Sequence, residues 1–164
     1  MDPRVIVMEG FSVIGVSGSV PANEAEKLQR WHTFKQRKRT LRDIRKTPIT
    51  IGMTDCGSNG EGSYIAGMPV IQSDIPKGMI QKEVPGGLYV MATHRGESRR
   101  MLETFDYLYF EWMAESGYRP LAQASFEMYD ERFLGPDNPD SKIDLYIPVS
   151  IETSRTRNRS LVSQ

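Results

Sequence analysis

The feature that most constrains the fold of this chain is one order of predicted elements that occurs twice, offset by roughly eighty residues. In each half, hydrophobic periodicity predicts a strand, a helix and two further strands. The first unit spans about residues 4–72 and the second about residues 79–151. Because each helix must bury its apolar stripe on a sheet, this order predicts an α+β fold. We expect tandem β-α-β-β units, antiparallel sheets and two long helices about a pseudo-twofold, with a central ligand groove where the units meet.

The first unit begins with the Val- and Ile-rich segment Val5–Val20, which predicts one long or broken strand with a kink at Gly10. Asn23 and Glu26 have the spacing of a capping box and predict the start of a helix. The basic run Lys35–Lys46 at its far end favours a solvated helix end; the alternative is a surface for an anionic partner. The two following strands are predicted at Ile49–Thr54 and Ser63–Val70.

The second unit has the stronger helical signal. Its first clear strand is Leu88–Thr93, Ser98 is the best N-cap candidate, and Gly117 predicts the helix end. The apolar stripe of this helix consists of Met101, Phe105, Leu108 and Trp112. Two strands complete the unit: Ser125–Asp130 and Ile143–Val149.

Charge and composition argue against several classes of protein. Lys and Arg number 21, as do Asp and Glu, so the chain has no net charge with which to hold nucleic acid, and we expect no direct nucleic-acid binding. No apolar run reaches the roughly 18 residues that span a bilayer, and a single cysteine forms no internal disulfide framework. A cytoplasmic protein without membrane contact is therefore expected. His32, His94 and Cys56 have no zinc-site spacing, so neither a metal nor a cofactor is predicted. Residues 154–164 are predicted to form a polar, basic tail.

The alternation along Ser125–Asp130 points to a candidate site. Glu127 and Tyr129 are predicted to lie on one face of the strand, and Tyr146 joins them if the last two strands pair with it on that face. A carboxylate among aromatic rings suits a ligand that is both apolar and positively charged. The alternative is that Glu127 is a solvated strand residue.

Six short motifs, in this order, resemble the GyrI-like, or bacterial effector-binding, domain family. They are Tyr64–Gly67, Pro85–Val90, His94–Gly96, Trp112 with Glu115–Tyr118, Phe126–Tyr129 and Leu145–Val149. The resemblance covers about residues 4–151. The same domain forms the ligand-binding half of some AraC-type and MerR-type multidrug regulators. No helix-turn-helix segment precedes it here, so the chain is not expected to be a complete transcription factor of that type.

The resemblance implies a central small-molecule pocket in which an acidic residue, matching Glu127, meets cationic aromatic or amphipathic drugs. It also implies that aromatic side chains stack on the ligand. The candidates in this chain are Tyr64, Trp112, Tyr146, Trp31, Tyr109 and Tyr129. For Trp112 and Tyr109 the alternative is packing of the second helix against the sheet.

Three functions follow as hypotheses. The first is a stand-alone protein that sequesters or senses amphipathic or cationic small molecules. The second, implied by the resemblance, is a hydrolase of cyclopropane-type electrophiles, in which Glu127 is the general base and Tyr64 or Tyr146 assists. The third is an inhibitor of gyrase type that acts on a protein partner through the basic run or the tail. A second copy of the chain is the alternative partner.

Overall fold

The computed structural model describes residues 2–20, 24–38, 49–55, 62–71 and 74–152, and these form an α+β fold, as predicted. The strands are β1 Arg4–Met8, β2 Phe11–Val20, β3 Thr50–Asp55, β4 Gly62–Val70, β5 Ile80–Val84, β6 Gly87–Arg95, β7 Tyr118–Pro120, β8 Ser125–Tyr129 and β9 Lys142–Ile151. The first helix is α1, Glu24–Arg37. The second helix, Ser98–Ser116, consists of a 3-10 turn Ser98–Arg100, α2 Met101–Asp106, a π-helical segment Tyr107–Trp112 and α3 Met113–Ser116.

One curled antiparallel sheet contains eight of the strands in the order β1-β6-β9-β8-β3-β4-β2-β5, and β7 pairs with the end of β9. This order is symmetric about its centre: β8, β9, β6 and β1 on one side correspond to β3, β4, β2 and β5 on the other. The innermost pair, β8 with β3, contributes one strand from each half. A residue on this pair therefore lies where the two halves of the chain meet.

The N-terminal segment is broken beside Gly10 into two strands, which is the second of the two predicted alternatives. β1 pairs with β6 of the other half, whereas β2 pairs with β4 and β5. Gly10 lies in the corner between β1 and β2, against the corner between β5 and β6. A Cβ atom on Gly10 would lie 3.0 Å from the Gly86 nitrogen, and one on Gly86 would lie 2.9 Å from the Gly10 nitrogen. Because the two backbones approach this closely, neither corner has room for a side chain.

Both helices cover the same face of the sheet. Phe34 of α1 packs with Ile14 and Ala66 in one cluster, and Leu108 of the second helix packs with Val90 and Ile147 in another. Gly117 ends the second helix in the left-handed conformation, with φ at 79°, as its position predicted. The N-cap prediction was wrong: Glu97 precedes the 3-10 turn that begins at Ser98, and its side chain makes no capping hydrogen bond.

The other face of the sheet is concave and buries the central core. The rings of Phe11 on β2 and Phe126 on β8 lie 5.8 Å apart, although β3 and β4 separate their strands. Three strand spacings in a flat sheet would be about 14 Å, so the sheet must curl strongly to bring these rings together. Tyr89, Met53 and Tyr146 complete this core from three further strands.

Several predictions lie outside the described residues. They are the capping residue Asn23, the part of the basic run at residues 39–46, and the tail at residues 154–164. Of the basic run, Lys35, Arg37 and Lys38 are described, and all three are exposed at the C-terminal end of α1. No helix in the described ranges is both long and apolar enough to cross a membrane.

Candidate functional site

Glu127 lies on the innermost strand pair, on the face that carries the helices. In the register of the sheet, Ala66 is opposite Gly52, Gly52 is opposite Glu127, and Glu127 is opposite Leu145. Residues directly opposite each other on antiparallel strands share a face. Ala66 belongs to the cluster under α1, so this whole row faces the helices. Glu127 is therefore positioned between the area that α1 covers and the area that the second helix covers.

The carboxylate of Glu127 is buried, with only 5% of the residue exposed. Two phenols donate hydrogen bonds to the same oxygen: the Tyr64 hydroxyl lies 2.5 Å from Oε1, and the Tyr129 hydroxyl lies 3.2 Å from it. A buried charge is costly unless hydrogen bonds and partners compensate it. The phenols supply part of that compensation and hold the carboxylate in place.

Gly52 makes the contact between Tyr64 and Glu127 possible. It lies on β3, between the strands that carry these two side chains, so both can cross above its backbone. A Cβ atom on Gly52 would lie 2.8 Å from the Glu127 Cδ and would overlap the Tyr64 hydroxyl and the Glu127 Oε1. A glycine inside a strand often marks such a close approach.

Helix α1 closes the site from one side. The indole nitrogen of Trp31 donates a hydrogen bond of 3.1 Å to the Tyr64 hydroxyl. The Trp31 ring also meets the Tyr129 ring edge-on, with 5.2 Å between centroids. One turn earlier on the helix, the Lys27 Nζ lies 5.2 Å from the centroid of the Tyr64 ring. The four residues Trp31, Tyr64, Glu127 and Tyr129 thus form one connected cluster.

The electrostatics of the cluster keep both phenols neutral. Burial, together with the charge of Glu127 and the hydrogen bond to it, raises the pKa of the Tyr64 hydroxyl well above its ordinary value. Burial and the charge of Glu127 likewise raise the pKa of the Tyr129 hydroxyl well above its ordinary value. A neutral phenol keeps its proton and can go on donating to the carboxylate. The site therefore has one negative charge, held by two O–H donors and edged by aromatic rings.

The predicted position of Tyr146 needs correction. The register places Tyr146 opposite Phe126, one residue away from Glu127, and the two rings stack with centroids 4.7 Å apart. Tyr146 therefore lies in the concave core, on the other face of the sheet, and is 8% exposed. From that face Tyr146 cannot share a ligand with Glu127, and of the two phenols that the hydrolase hypothesis allowed, Tyr64 is the one beside the carboxylate.

The aromatic candidates of the second helix have separate ring partners. Trp112 stacks on Tyr118 with 5.7 Å between centroids, and it packs against the cluster beneath this helix. Tyr109 stacks on Phe105 with 6.5 Å between centroids and is 36% exposed. Both lie on the helix-bearing side of the sheet, and their roles in ligand binding stay predictions.

Two residues of the site, Gly52 and Lys27, were not among the candidates predicted from the sequence. Gly52 could have been identified from the sequence, because a glycine interrupts a strand of β-branched residues at positions 50–54. No sequence feature marks Lys27, because a lysine on a polar helix face is ordinary. The lysine was identified only from the position of its ammonium group above the Tyr64 ring.

Among the described residues, the buried histidine has both ring nitrogens hydrogen bonded outside the cluster. His94 is buried, with its Nδ1 2.7 Å from the Thr104 hydroxyl and its Nε2 2.9 Å from the Glu97 carbonyl oxygen. It ties the end of β6 to the start of the second helix. In the described ranges, no three His, Cys, Asp or Glu side chains are grouped so as to hold a metal ion.

Comparisons with known proteins agree with this architecture. A family model described as the GyrI-like small molecule binding domain matches residues 1–150. The transcriptional regulator BrlR of Pseudomonas aeruginosa is 35% identical over 152 residues, which are 91% of this chain and 56% of that protein. The chain thus spans about half the length of this relative.

Solved structures show the same fold at low sequence identity. The structure of SAV2435 bound to tetraphenylphosphonium has a TM-score of 0.67 at 14% identity, and the match covers 92% of this chain and 94% of that one. The crystal structure of the EcmrR C-terminal domain has a TM-score of 0.73 at 13% identity, covering 92% and 98%. These two matches support the half-barrel with two helices.

Proposed function

The chain belongs to the GyrI-like family of small molecule binding domains, and we propose that it binds amphipathic organic cations at Glu127, as a module that sequesters or senses them. The single observation that carries this proposal is the burial of the Glu127 carboxylate in a cluster of Trp31, Tyr64 and Tyr129. A desolvated carboxylate attracts a cation far more strongly than an exposed one. Aromatic faces add area for the apolar body of the ligand and attraction for its charge.

Access supports the same ligand class. Trp31 and Lys27 are only partly buried, whereas Glu127 and Tyr64 beneath them are almost fully covered. A ligand would therefore meet the α1 side chains first and reach the carboxylate after displacing them. Such a ligand needs an apolar surface to replace the ring contacts and a positive charge to meet Glu127. Purely polar cations lack the first, and neutral aromatic compounds lack the second.

The direct test is calorimetric titration with tetraphenylphosphonium, which combines four aromatic rings with a permanent charge. We expect Glu127→Gln to keep the shape of the site and to weaken binding by about 2–3 kcal/mol, or roughly 30- to 150-fold. Triphenylphosphine oxide, a neutral compound of related shape, should bind both proteins equally. The matched control is Glu111→Gln, because Glu111 is an exposed carboxylate on the second helix. Equal affinity of native protein and Glu127→Gln for the phosphonium would refute the proposal.

The hydrolase hypothesis receives less support. Tyr146 lies on the other face of the sheet, which leaves Tyr64 as the one phenol of the predicted pair in contact with Glu127. Both phenols that contact the carboxylate donate to Oε1, so this oxygen already accepts two hydrogen bonds in place of one from a substrate water. Mass spectrometry of a cyclopropane-type electrophile after long incubation tests the hypothesis: unaltered compound rejects hydrolysis, and a mass gain of one water supports it.

For a sensing role we propose a cytoplasmic module that acts on a protein partner or on a second copy of the chain. The basic end of α1, where Lys35 is exposed, is one described surface for such a contact. A pull-down with native protein and a Lys35→Glu variant would show whether this surface is used.

A further inference from the structure

We infer that the ammonium group of Lys27 is a built-in competitor for the cation position above the Tyr64 ring, so that it sets the affinity threshold that an incoming organic cation must exceed. This inference rests on the proposed function, because it concerns regulation of the same site. It adds a residue to that site and assigns the outer face of Tyr64 as the place where the charge of a ligand, or one of its rings, would lie.

The geometry is that of a cation–π contact. The Lys27 Nζ lies 5.2 Å from the centroid of the Tyr64 ring, within the roughly 6 Å over which such contacts are attractive. Lys27 and Trp31 are four residues apart on α1, so they project from the same side of the helix. Trp31 donates a hydrogen bond to the Tyr64 hydroxyl, and the Lys27 ammonium lies over the Tyr64 ring. Two side chains one turn apart on α1 therefore contact both the hydroxyl and the ring of Tyr64.

The chemistry of Tyr64 strengthens this contact. Its hydroxyl donates to the carboxylate of Glu127, and a hydrogen bond to an anion polarises the donor and makes the ring more electron-rich. Lys27 is partly buried, and among the described residues it forms no ion pair with a carboxylate. The lysine is thus held against the ring in the position where a ligand cation would be most favourable.

Because Lys27 is tethered to the domain, it sets a minimum affinity that a ligand cation needs in order to replace it. Its effective concentration at the ring is of millimolar order or higher, because it is attached to the same domain. A small primary amine offers the same ammonium group without the tether and so gains nothing by replacing it. A bulky, weakly hydrated cation gains ring and apolar contacts as well, whereas a compact ammonium stays strongly hydrated. The site should therefore respond to aromatic quaternary cations and ignore simple amines.

The experiment compares three variants in calorimetric titrations with tetraphenylphosphonium. Lys27→Met removes the ammonium and keeps an apolar chain of similar length, and we expect roughly two- to fivefold tighter binding. Lys27→Arg keeps a cation over the ring and should not bind more tightly. Lys35→Met removes one charge from an exposed position on the same helix, so its affinity should match that of native protein. Lys27→Gln replaces Lys27→Met if melting curves show that the latter is unfolded.

The outcomes separate this inference from the proposed function. If native protein binds the phosphonium and Glu127→Gln weakens binding, but Lys27→Met binds no more tightly than native protein, then the inference is overturned and the proposed function stands. Equal tightening in Lys27→Met and Lys35→Met would also overturn it, because a general charge effect would suffice. If native protein and Glu127→Gln bind the phosphonium equally, the proposed function itself has failed.

Discussion

Replacing Gly52 with alanine tests whether the close contact of Tyr64 with Glu127 organises the site. The new methyl group would lie 2.8 Å from the Glu127 Cδ and would overlap both oxygens of the Tyr64–Glu127 hydrogen bond. Both side chains are buried, so neither can swing into solvent without leaving its neighbours. We therefore expect Gly52→Ala to separate the phenol from the carboxylate while the sheet around it stays paired.

The cost can be worked out from three contributions. Loss of a hydrogen bond to a charged acceptor costs about 1.5–3 kcal/mol. Forcing an extra methyl group into packed surroundings costs about 1–3 kcal/mol. Alanine recovers about 0.5–1 kcal/mol, because glycine loses more backbone entropy than alanine on folding. The free energy of unfolding should therefore fall by roughly 2–5 kcal/mol.

Urea unfolding of native protein, Gly52→Ala, Tyr64→Phe and the double variant measures this contribution. Phenylalanine lacks the hydroxyl that the methyl group overlaps, so Gly52→Ala should cost at least about 1 kcal/mol less in the Tyr64→Phe background. Binding of tetraphenylphosphonium should be weakened in Gly52→Ala by loss of the positioned carboxylate. An equal cost in both backgrounds, or a cost below about 0.5 kcal/mol in native protein, would refute the reasoning.

Two further predictions concern pH. Burial raises the folded-state pKa of Tyr129 above the ordinary value of 10.0, so the stability that its proton contributes is complete below pH 10 and is lost as the pH rises towards the folded pKa. Urea midpoints between pH 9 and about 11 should therefore fall less steeply for Tyr129→Phe than for native protein. Identical slopes would contradict this prediction. The Arg132 side chain donates three hydrogen bonds to Asp130 and one to Asp144, and its hydrogen bonds lower the pKa of Asp130 below the ordinary value of 3.8. A lowered folded-state pKa stabilises the protein above pH 3.8 and ceases to do so as the pH falls further. Arg132→Gln should therefore lower the free energy of unfolding by about 1 kcal/mol at pH 7, a modest value because the Arg132 side chain is 37% exposed, and this loss should shrink between pH 4 and about 2. A loss that stays constant with pH would exclude the ion pair as its source.

The sequence by itself determined the elements and the local directions of side chains. Alternation in Ser125–Tyr129 placed Phe126 and Glu127 on opposite faces, because successive side chains of any strand point to opposite sides. The helical stripes predicted two amphipathic helices, and a helix with one apolar stripe must cover a sheet or another helix. Glu127, Tyr129, Tyr64 and Trp31 were candidates from these patterns and from the family resemblance. The inferences about elements and faces needed only neighbours within a few residues, whereas Tyr64 and Trp31 were candidates because of the family resemblance.

Which layer each face of a strand packs against, by contrast, depended on the register of strand pairing. β9 is buried along both faces, since Leu145 and Ile147 point to the helices while Tyr146 points into the concave core. An alternating strand with one wet face specifies its register, whereas a strand covered on both sides leaves two registers with similar hydrophobic burial. The sequence could not tell which face Tyr146 would join, and the prediction that it joins Glu127 was wrong.

Only the tertiary structure decided what surrounds the carboxylate. Gly52 lies 75 residues from Glu127 in the chain and Lys27 lies 100 residues from it, yet strand pairing and helix packing bring both to the same cluster. Local patterns carry no information about such distances, because they arise from short-range backbone geometry. The identity of the acidic residue was therefore readable from the sequence, whereas the glycine that makes room for it and the lysine beside its phenol were set by contacts between distant strands and the helix above them.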